Sequence, residues 1–199
     1  MRIAPYMLLL VAAAGCQRDE LNRKESDMAE TTYTVTMKGN PLTVEGTRLQ
    51  QGDKAPDATL VANDLSEVTL SSYRPKTVIL SVVPSLDTGV CSRQTRAFNE
   101  AAADLGENVQ VVTVSMDLPF AQQRWCGAEG IERVDTLSAH RNEDFGRAYG
   151  VLIADLRLLA RSVFVIDAEG TITYAQYVGE LTEEPAYDPA LEAAREAAG

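Results

Sequence analysis

The chain has 199 residues, a length that suits one domain with its own hydrophobic core better than two. Acidic residues outnumber basic ones by 29 to 18, and the resulting net charge of −11 argues against binding the phosphate backbone of nucleic acids. One histidine, His140, and three cysteines without a CxxC pair predict no His-rich metal site, no zinc ribbon and no cofactor.

The first fifteen residues have the proportions of a signal peptide. Arg2 precedes an apolar run over residues 6–14, which is too short for a membrane-spanning helix of about 20 residues. The run leads into Ala-Ala-Gly-Cys at residues 13–16. This arrangement resembles the lipobox of bacterial lipoproteins, in which the cysteine is acylated and becomes the new N-terminus. A plain secretory signal with a chance cysteine is the alternative.

The residues after Cys16 are polar and charged, as in a solvated tether that has nothing to bury. We therefore predict a signal peptide over residues 1–15, a tether over 16–30 and one domain over 31–199. Acylation of Cys16 would anchor the protein to the periplasmic side of a bacterial membrane. Gln17, rather than aspartate, after the cysteine favours the outer membrane over the inner one.

The remaining sequence predicts alternating strands and helices. Residues 77–83 and 109–115 are β-branched runs, typical of strands that are buried on both faces. Asp117 is well placed to cap the helix that begins at Pro119. In chain order we predict a β-hairpin at 33–37 and 42–44, short strands at 58–62 and 68–70, a strand at 77–83, a helix at about 91–105, a strand at 109–115, a helix at 119–129, a short strand at 136–137, a helix at 143–149, a hairpin at 162–166 and 171–178, and a helix from about 189. This order predicts an α/β fold, compatible with a thioredoxin-like fold, with a mixed central sheet, flanking helices and an N-terminal β-hairpin.

Cys91 is predicted at the N-terminus of the helix that follows the first buried strand. Unpaired N–H groups and a partial positive charge at that end of a helix stabilise a thiolate relative to a thiol. A larger thiolate fraction does not by itself make an efficient enzyme, because the nucleophilicity of the sulfur falls as the thiolate becomes more stable. A lone cysteine here is more often a buried apolar residue, so the neighbouring residues decide.

Those neighbours match a known pattern. Residues 84–91, Pro-Ser-Leu-Asp-Thr-Gly-Val-Cys, fit PxxxTxxC, the peroxidatic motif of peroxiredoxins. Further matching blocks follow in order at residues 98–99, 117–122, 125–130, 136–138, 149–151 and 159–161. From about residue 31 to its C-terminus, the chain resembles the bacterial thiol peroxidase family, the atypical 2-Cys peroxiredoxins. The resemblance implies a thioredoxin-fold homodimer that reduces hydrogen peroxide and organic hydroperoxides and is recycled by thioredoxin or a similar reductant.

The resemblance also implies roles for five residues. Cys91 would attack the peroxide as a thiolate and become sulfenic acid. Thr88 would place its hydroxyl beside the sulfur, Pro84 would stiffen the loop and exclude water, and Arg161 would stabilise the thiolate and the leaving oxygen. Cys126 would be the resolving cysteine that forms an intramolecular disulfide with Cys91. Because a disulfide needs Cα atoms about 4.4–6.8 Å apart, the first helical turn at Cys91 would have to unwind.

The chain departs from the family pattern in two places. Residues 151–160 form a shorter segment than the family counterpart, which puts the local loop shape, the dimer edge and the substrate preference in doubt. The lipoprotein leader is unusual for a family best known from the cytoplasm.

Three rival functions stay open at this point. A thiol–disulfide oxidoreductase of the same fold would need CxxC, but Gln94 stands where the second cysteine would be. A cysteine protease would need His140 as its base, although this histidine is more typical of a surface residue. A membrane-tethered adaptor with a thioredoxin fold and incidental cysteines would consume no peroxide.

Overall fold

The computed structural model describes residues 31–199, which fold around two β-sheets. The predicted signal peptide of residues 1–15, the tether of residues 16–30 and the lipid site at Cys16 lie outside the described residues. Within residues 31–199, none of the helices has the length and apolar character needed to cross a membrane.

Strands and helices alternate along this region. The strands are β1 (Thr32–Met37), β2 (Asn40–Glu45), β3 (Thr59–Val61), β4 (Glu67–Thr69), β5 (Thr77–Val82), β6 (Val109–Ser115), β7 (Val134–Ser138), β8 (Leu152–Ile153), β9 (Leu158–Leu159), β10 (Ser162–Ile166) and β11 (Ile172–Tyr177). The α-helices are α1 (Gly89–Ala101), α2 (Pro119–Glu129), α3 (Asp144–Ala148) and α4 (Tyr187–Ala198). Short 3₁₀ helices follow β4 at Leu70–Tyr73, α1 at Ala102–Asp104 and β8 at Ala154–Leu156.

The larger sheet has the strand order β11-β10-β5-β6-β7-β3-β4. Its centre is parallel, since β5, β6 and β7 run in one direction, whereas β10 pairs antiparallel with β5. Every residue of β5 is buried, because apolar side chains cover both faces of the sheet. Helices α1, α2 and α4 contribute to the cluster on one face, and α3 contributes to the cluster on the other. The predicted α/β fold of the thioredoxin-like class, with a mixed sheet and flanking helices, is confirmed.

A smaller sheet has the order β1-β2-β8-β9. It contains the predicted N-terminal hairpin, β1 and β2, and adds two strands that the sequence did not predict. Strands β8 and β9 lie in the short segment of residues 151–160, where Leu152 pairs with Glu45 of β2. Because each of these strands has only two residues, no alternating pattern can develop in the sequence.

Two expectations about the helices need correction. Helix α1 begins at Gly89, so Cys91 is the third residue of its first turn rather than its first residue. Asp117 does not cap α2: Leu118 is the N-cap residue, and its side chain makes no capping bond. The carboxylate of Asp117 instead accepts a hydrogen bond from the backbone N–H of Leu86. A local capping rule could not reveal a partner that lies 31 residues upstream.

Candidate active site

Cys91 lies just beyond the end of the buried strand β5. The loop of residues 83–88 connects β5 to α1, and Cys91 lies in the first turn of that helix. The residue is fully buried, with an exposed fraction of 0%. Pro84 is buried at the start of the loop, whereas Thr88 is exposed at its end. Of these two loop residues, Thr88 is therefore the one that adjoins solvent.

Two side chains donate hydrogen bonds to the sulfur of Cys91. Oγ1 of Thr88 lies 2.8 Å from Sγ, and Nη2 of Arg161 lies 3.3 Å from it. The Thr88 hydroxyl also lies 3.1 Å from the carbonyl oxygen of Ser85, which helps to orient it. Donors of this kind, one of them cationic, stabilise negative charge on the sulfur.

Arg161 is a guanidinium buried among neutral acceptors, with an exposed fraction of 1%. Nη1 donates to Oε1 of Gln94 at 2.6 Å, and Nη2 donates to the carbonyl oxygen of Leu181 at 2.8 Å. Within residues 31–199, the guanidinium forms no ion pair with a carboxylate. A buried cation is costly unless an anion adjoins it, and a thiolate at Cys91 is such an anion.

Gln94 and Leu181 hold Arg161 in place and were missed as site residues in the sequence. Gln94 lies one turn after Cys91 on α1, and its Nε2 donates to Oγ of Ser81 in β5 at 2.8 Å. The N–H of Leu181 donates to the carbonyl oxygen of Thr36 in β1 at 2.7 Å, so the N-terminal hairpin positions the peptide that binds Arg161. The sequence did offer a signal for Gln94, since it lies three residues after Cys91 and therefore on the same face of the predicted helix. The contribution of Leu181 comes from its backbone and leaves no signal in the sequence.

Cys126 lies on α2 in different surroundings. It is half-buried, and its Sγ lies 3.5 Å from Oγ1 of Thr136 in β7. Burial raises the pKa of the Cys126 thiol above its ordinary value, and the contact with Thr136 offsets this only in part. The side chain lines a groove of about 400 Å³ that is bordered by β7, by the β3–β4 hairpin and by Tyr73.

The two thiols are free, although both contact the apolar cluster that contains Phe98 and Trp125. They belong to different helices, and Cys91 is held in an intact first turn of α1. We still expect this turn to unwind when the predicted disulfide forms.

The described part of the chain does not contain the pair that a cysteine protease needs. Nδ1 of His140 lies 2.8 Å from Oγ of Ser138, and neither cysteine has His140 among its hydrogen-bond partners. The imidazole therefore has no thiol to activate in this arrangement.

Comparisons with known proteins identify close sequence relatives. The family profile described as Redoxin matches residues 50–191. The thiol peroxidase of Oceanobacillus iheyensis is 57% identical over 157 residues, which are 79% of this chain and 95% of that protein. The thiol peroxidase of Bacillus subtilis is 55% identical over 161 residues, 81% of this chain and 96% of that protein.

Solved structures share the fold. A peroxiredoxin-like protein from Aquifex aeolicus superposes with a TM-score of 0.77 at 45% identity, covering 83% of this chain and 98% of its own. A thiol peroxidase from Chromobacterium violaceum superposes with a TM-score of 0.74 at 20% identity, covering 82% and 96%. At this lower identity the likeness concerns the fold alone.

Proposed function

Because the chain belongs to the redoxin family and, within it, to the bacterial thiol peroxidases, we propose that Cys91 is the thiolate with which this enzyme reduces peroxides. The observation that carries this assignment is the pairing of Cys91 with Arg161. The guanidinium is buried, its other acceptors are neutral, and its Nη2 lies 3.3 Å from the sulfur. A negative charge on Cys91 compensates this buried cation.

The first step is the attack of the Cys91 thiolate on one oxygen of the hydroperoxide. The S–O bond forms as the O–O bond breaks, the sulfur becomes sulfenic acid, and the other oxygen leaves with a proton as water or an alcohol. Thr88 and Arg161 already point donors at the sulfur, so the same donors can stabilise charge on the reacting oxygens. Pro84 closes the buried side of the loop against water.

In the second step, we assign Cys126 as the resolving cysteine. Its sulfur attacks the sulfenic acid of Cys91, a disulfide forms within one chain, and the hydroxyl of the sulfenic acid leaves as water. The first turn of α1 must open for this step. A dithiol reductant of the thioredoxin type then supplies two electrons and two protons that restore both thiols.

We further assign a homodimer as the working assembly. Two large apolar side chains, Leu118 and Phe120, are 53% and 63% exposed at the start of α2. They flank Pro119 and follow Asp117, which binds the loop before α1. Neighbouring exposed apolar side chains of this size are typical of a surface that a partner covers. A second copy of the chain is the partner that the family relationship favours, and sedimentation of Phe120→Asp against the wild type tests it.

The leader supports a location outside the cytoplasm. We assign Cys16 as the acylated N-terminus, residues 16–30 as the tether and residues 31–199 as the peroxidase domain, anchored on the periplasmic side of a bacterial membrane, with Gln17 favouring the outer membrane over the inner one. Stable anchoring needs more than one acyl chain, as lipoproteins of this type carry. Mass spectrometry of membrane-extracted protein should show acylated Cys16 and loss of residues 1–15, and an intact N-terminus in a soluble fraction would contradict it.

The decisive experiment measures the consumption of hydrogen peroxide and of an alkyl hydroperoxide by purified protein with a thioredoxin system. We expect Cys91→Ser to abolish the reaction and Cys126→Ser to complete one oxidation and then stall as sulfenic acid. In the wild type, one equivalent of peroxide should remove two thiols per chain, and non-reducing gels should show monomer-sized protein.

Two results would contradict this assignment. Turnover by Cys91→Ser at nearly the wild-type rate would remove Cys91 from the mechanism. A peroxide-induced covalent dimer linked through Cys91 would replace the intramolecular disulfide with an intermolecular one.

A further inference from the structure

We propose that Asp117 is a positioning residue whose carboxylate holds the loop of residues 83–88 closed and so controls how often Cys91 is released towards Cys126. This inference rests on the proposed function, because it concerns the transfer between the two cysteines of that reaction. It adds a residue whose hydrogen-bond partners include neither sulfur.

The carboxylate of Asp117 receives three hydrogen bonds. Oδ1 accepts from Oγ of Ser85 at 2.7 Å, and Oδ2 accepts from the backbone N–H of Leu86 at 2.8 Å and from Oγ of Ser115 at 2.8 Å. Two of these donors belong to the loop itself. Hydrogen bonds to a carboxylate are stronger than those between neutral groups, so this one side chain fastens the middle of the loop.

Asp117 is itself anchored to the strands and to α2. Its carbonyl oxygen accepts from Oγ of Ser138 at 2.5 Å, and its N–H donates to Oγ of Ser115 at 3.2 Å. Nε2 of Gln122 donates to the same Ser115 oxygen at 3.0 Å. Gln122 is buried on α2, four residues before Cys126. The loop that precedes Cys91 is thus tied to the helix that carries Cys126.

The bonds to Asp117 link the loop to the geometry around the sulfur. The carbonyl oxygen of Ser85 accepts a hydrogen bond from the N–H of Thr88 at 3.2 Å, which fixes the position of Thr88 relative to the loop. A shift of Ser85 therefore displaces Thr88, which donates to Cys91. The first turn of α1, which must open for the disulfide, begins at Gly89 directly after the loop, so a loop held closed also holds the start of that turn. The bonds of Asp117 favour the closed form.

The effect of weakening these bonds follows from the two populations. When most molecules have the closed loop, weakening the loop increases the small open population by the same factor as the equilibrium constant between the two forms. The large closed population then decreases only slightly. Disulfide formation should therefore become faster, while oxidation of Cys91 is nearly maintained. A general structural defect would slow both steps. A faster disulfide step with a nearly unchanged oxidation step therefore indicates that Asp117 positions the loop.

The experiment mixes purified reduced protein with hydrogen peroxide, quenches the reaction at intervals with a thiol-blocking reagent, and measures sulfenic acid and disulfide by mass spectrometry. Trp125, the single tryptophan, is 8% exposed and adjoins Cys126, so its fluorescence provides a second record of the disulfide step. We expect disulfide formation to accelerate about tenfold in Asp117→Ala and about threefold in Asp117→Asn and Ser85→Ala. The rate of Cys91 oxidation should fall by less than about twofold in the two milder variants.

Asp57→Asn is the matched control. The carboxylate of Asp57 also accepts from a backbone N–H and a hydroxyl, both of Ser71, at 3.0 and 2.7 Å, but it holds the 3₁₀ helix Leu70–Tyr73 instead of the loop before Cys91. We expect both rates to match those of the wild type.

The inference is overturned if disulfide formation is unchanged or slower in both Asp117→Asn and Ser85→Ala. Ser85→Ala keeps the test decisive if the Asp117 variants do not fold. Failure of the proposed function has a different signature, because the wild type itself would then form no sulfenic acid or disulfide.

Discussion

Cys91 and Cys126 present the same thiol in two different environments. Cys91 is fully buried and accepts hydrogen bonds from a hydroxyl and a guanidinium, whereas Cys126 is half-buried beside the hydroxyl of Thr136. Within residues 31–199, no cationic side chain donates to the sulfur of Cys126. At Cys126 the Thr136 contact offsets the effect of burial on the pKa only in part, whereas the Cys91 sulfur has two donors, one of them a buried guanidinium. The two thiols therefore differ more in the donors around the sulfur than in kind of burial, and the predictions below test whether those donors decide reactivity.

The largest expected effect comes from removing the cation beside Cys91. Arg161→Met should lower the second-order rate of Cys91 oxidation by about 10²- to 10³-fold, because one preorganised donor to the reacting atoms contributes on that scale. Arg161→Lys should restore part of the rate, since it keeps the charge but loses the fork of donors. Single-turnover oxidation measured by mass spectrometry gives these rates.

Arg93→Met is the control for this prediction. Arg93 lies on α1 near Cys91, but its guanidinium pairs with Glu184 at the surface. We expect the rate of Cys91 oxidation in Arg93→Met to stay within about twofold of the wild type, because exposed ion pairs contribute little to stability. A rate for Arg161→Met within the same range would show that the buried cation is not what distinguishes Cys91.

The next effect concerns the hydroxyl at 2.8 Å from the Cys91 sulfur. Thr88→Val keeps the shape of the side chain and removes the donor, and should slow oxidation of Cys91 by about 10- to 100-fold. Thr88→Ser keeps the hydroxyl and should retain most of the rate. If Thr88→Val retains the rate and Thr88→Ser loses it, the contribution of Thr88 is one of packing, and hydrogen bonding to the sulfur is not its role.

The next prediction concerns Cys126 and the dependence of disulfide formation on pH. Burial raises the pKa of the Cys126 thiol, so at neutral pH this group is protonated, and its thiolate fraction rises about tenfold per pH unit below that pKa. Disulfide formation should therefore accelerate with pH and continue to do so beyond about pH 8.5, the range of an ordinary thiol. Oxidation of Cys91 in Cys126→Ser should not follow this profile. A rate of disulfide formation that is flat from about pH 7 to pH 9 would contradict the prediction.

The smallest expected effect is at Thr136. Its hydroxyl lowers the pKa of Cys126, but across 3.5 Å the contact is weak. Thr136→Val should raise that pKa further and slow disulfide formation by about twofold at a given pH, whereas Thr136→Ser should leave the rate unchanged. Faster disulfide formation in Thr136→Val would show that this contact restrains Cys126 and does not activate it.

Local features of the sequence were sufficient for much of the fold. The β-branched runs predicted β5 and β6, because strands buried on both faces need apolar side chains at nearly every position. The bounds of α2 were predicted residue for residue with Pro119 in the first turn, and the structure shows that Gly130 ends the helix in the left-handed conformation. The resemblance to the PxxxTxxC motif implied that Thr88 lies beside Cys91, and its hydroxyl is 2.8 Å from the sulfur.

Tertiary structure decided what surrounds the sulfur. Arg161 lies 70 residues after Cys91 and reaches it because β10 pairs with β5, which brings Ser162 opposite Val82 at the entrance to the loop. The carbonyl of Leu181 binds Arg161 through a backbone atom, which no residue type in the sequence can encode. For Asp117, the local rule predicted a helix cap, whereas the fold supplied the N–H of Leu86 and the hydroxyl of Ser85 as partners. Short-range geometry follows from residue order, but a charge buried beside a thiol depends on contacts between distant segments, and those exist only once the sheet has formed.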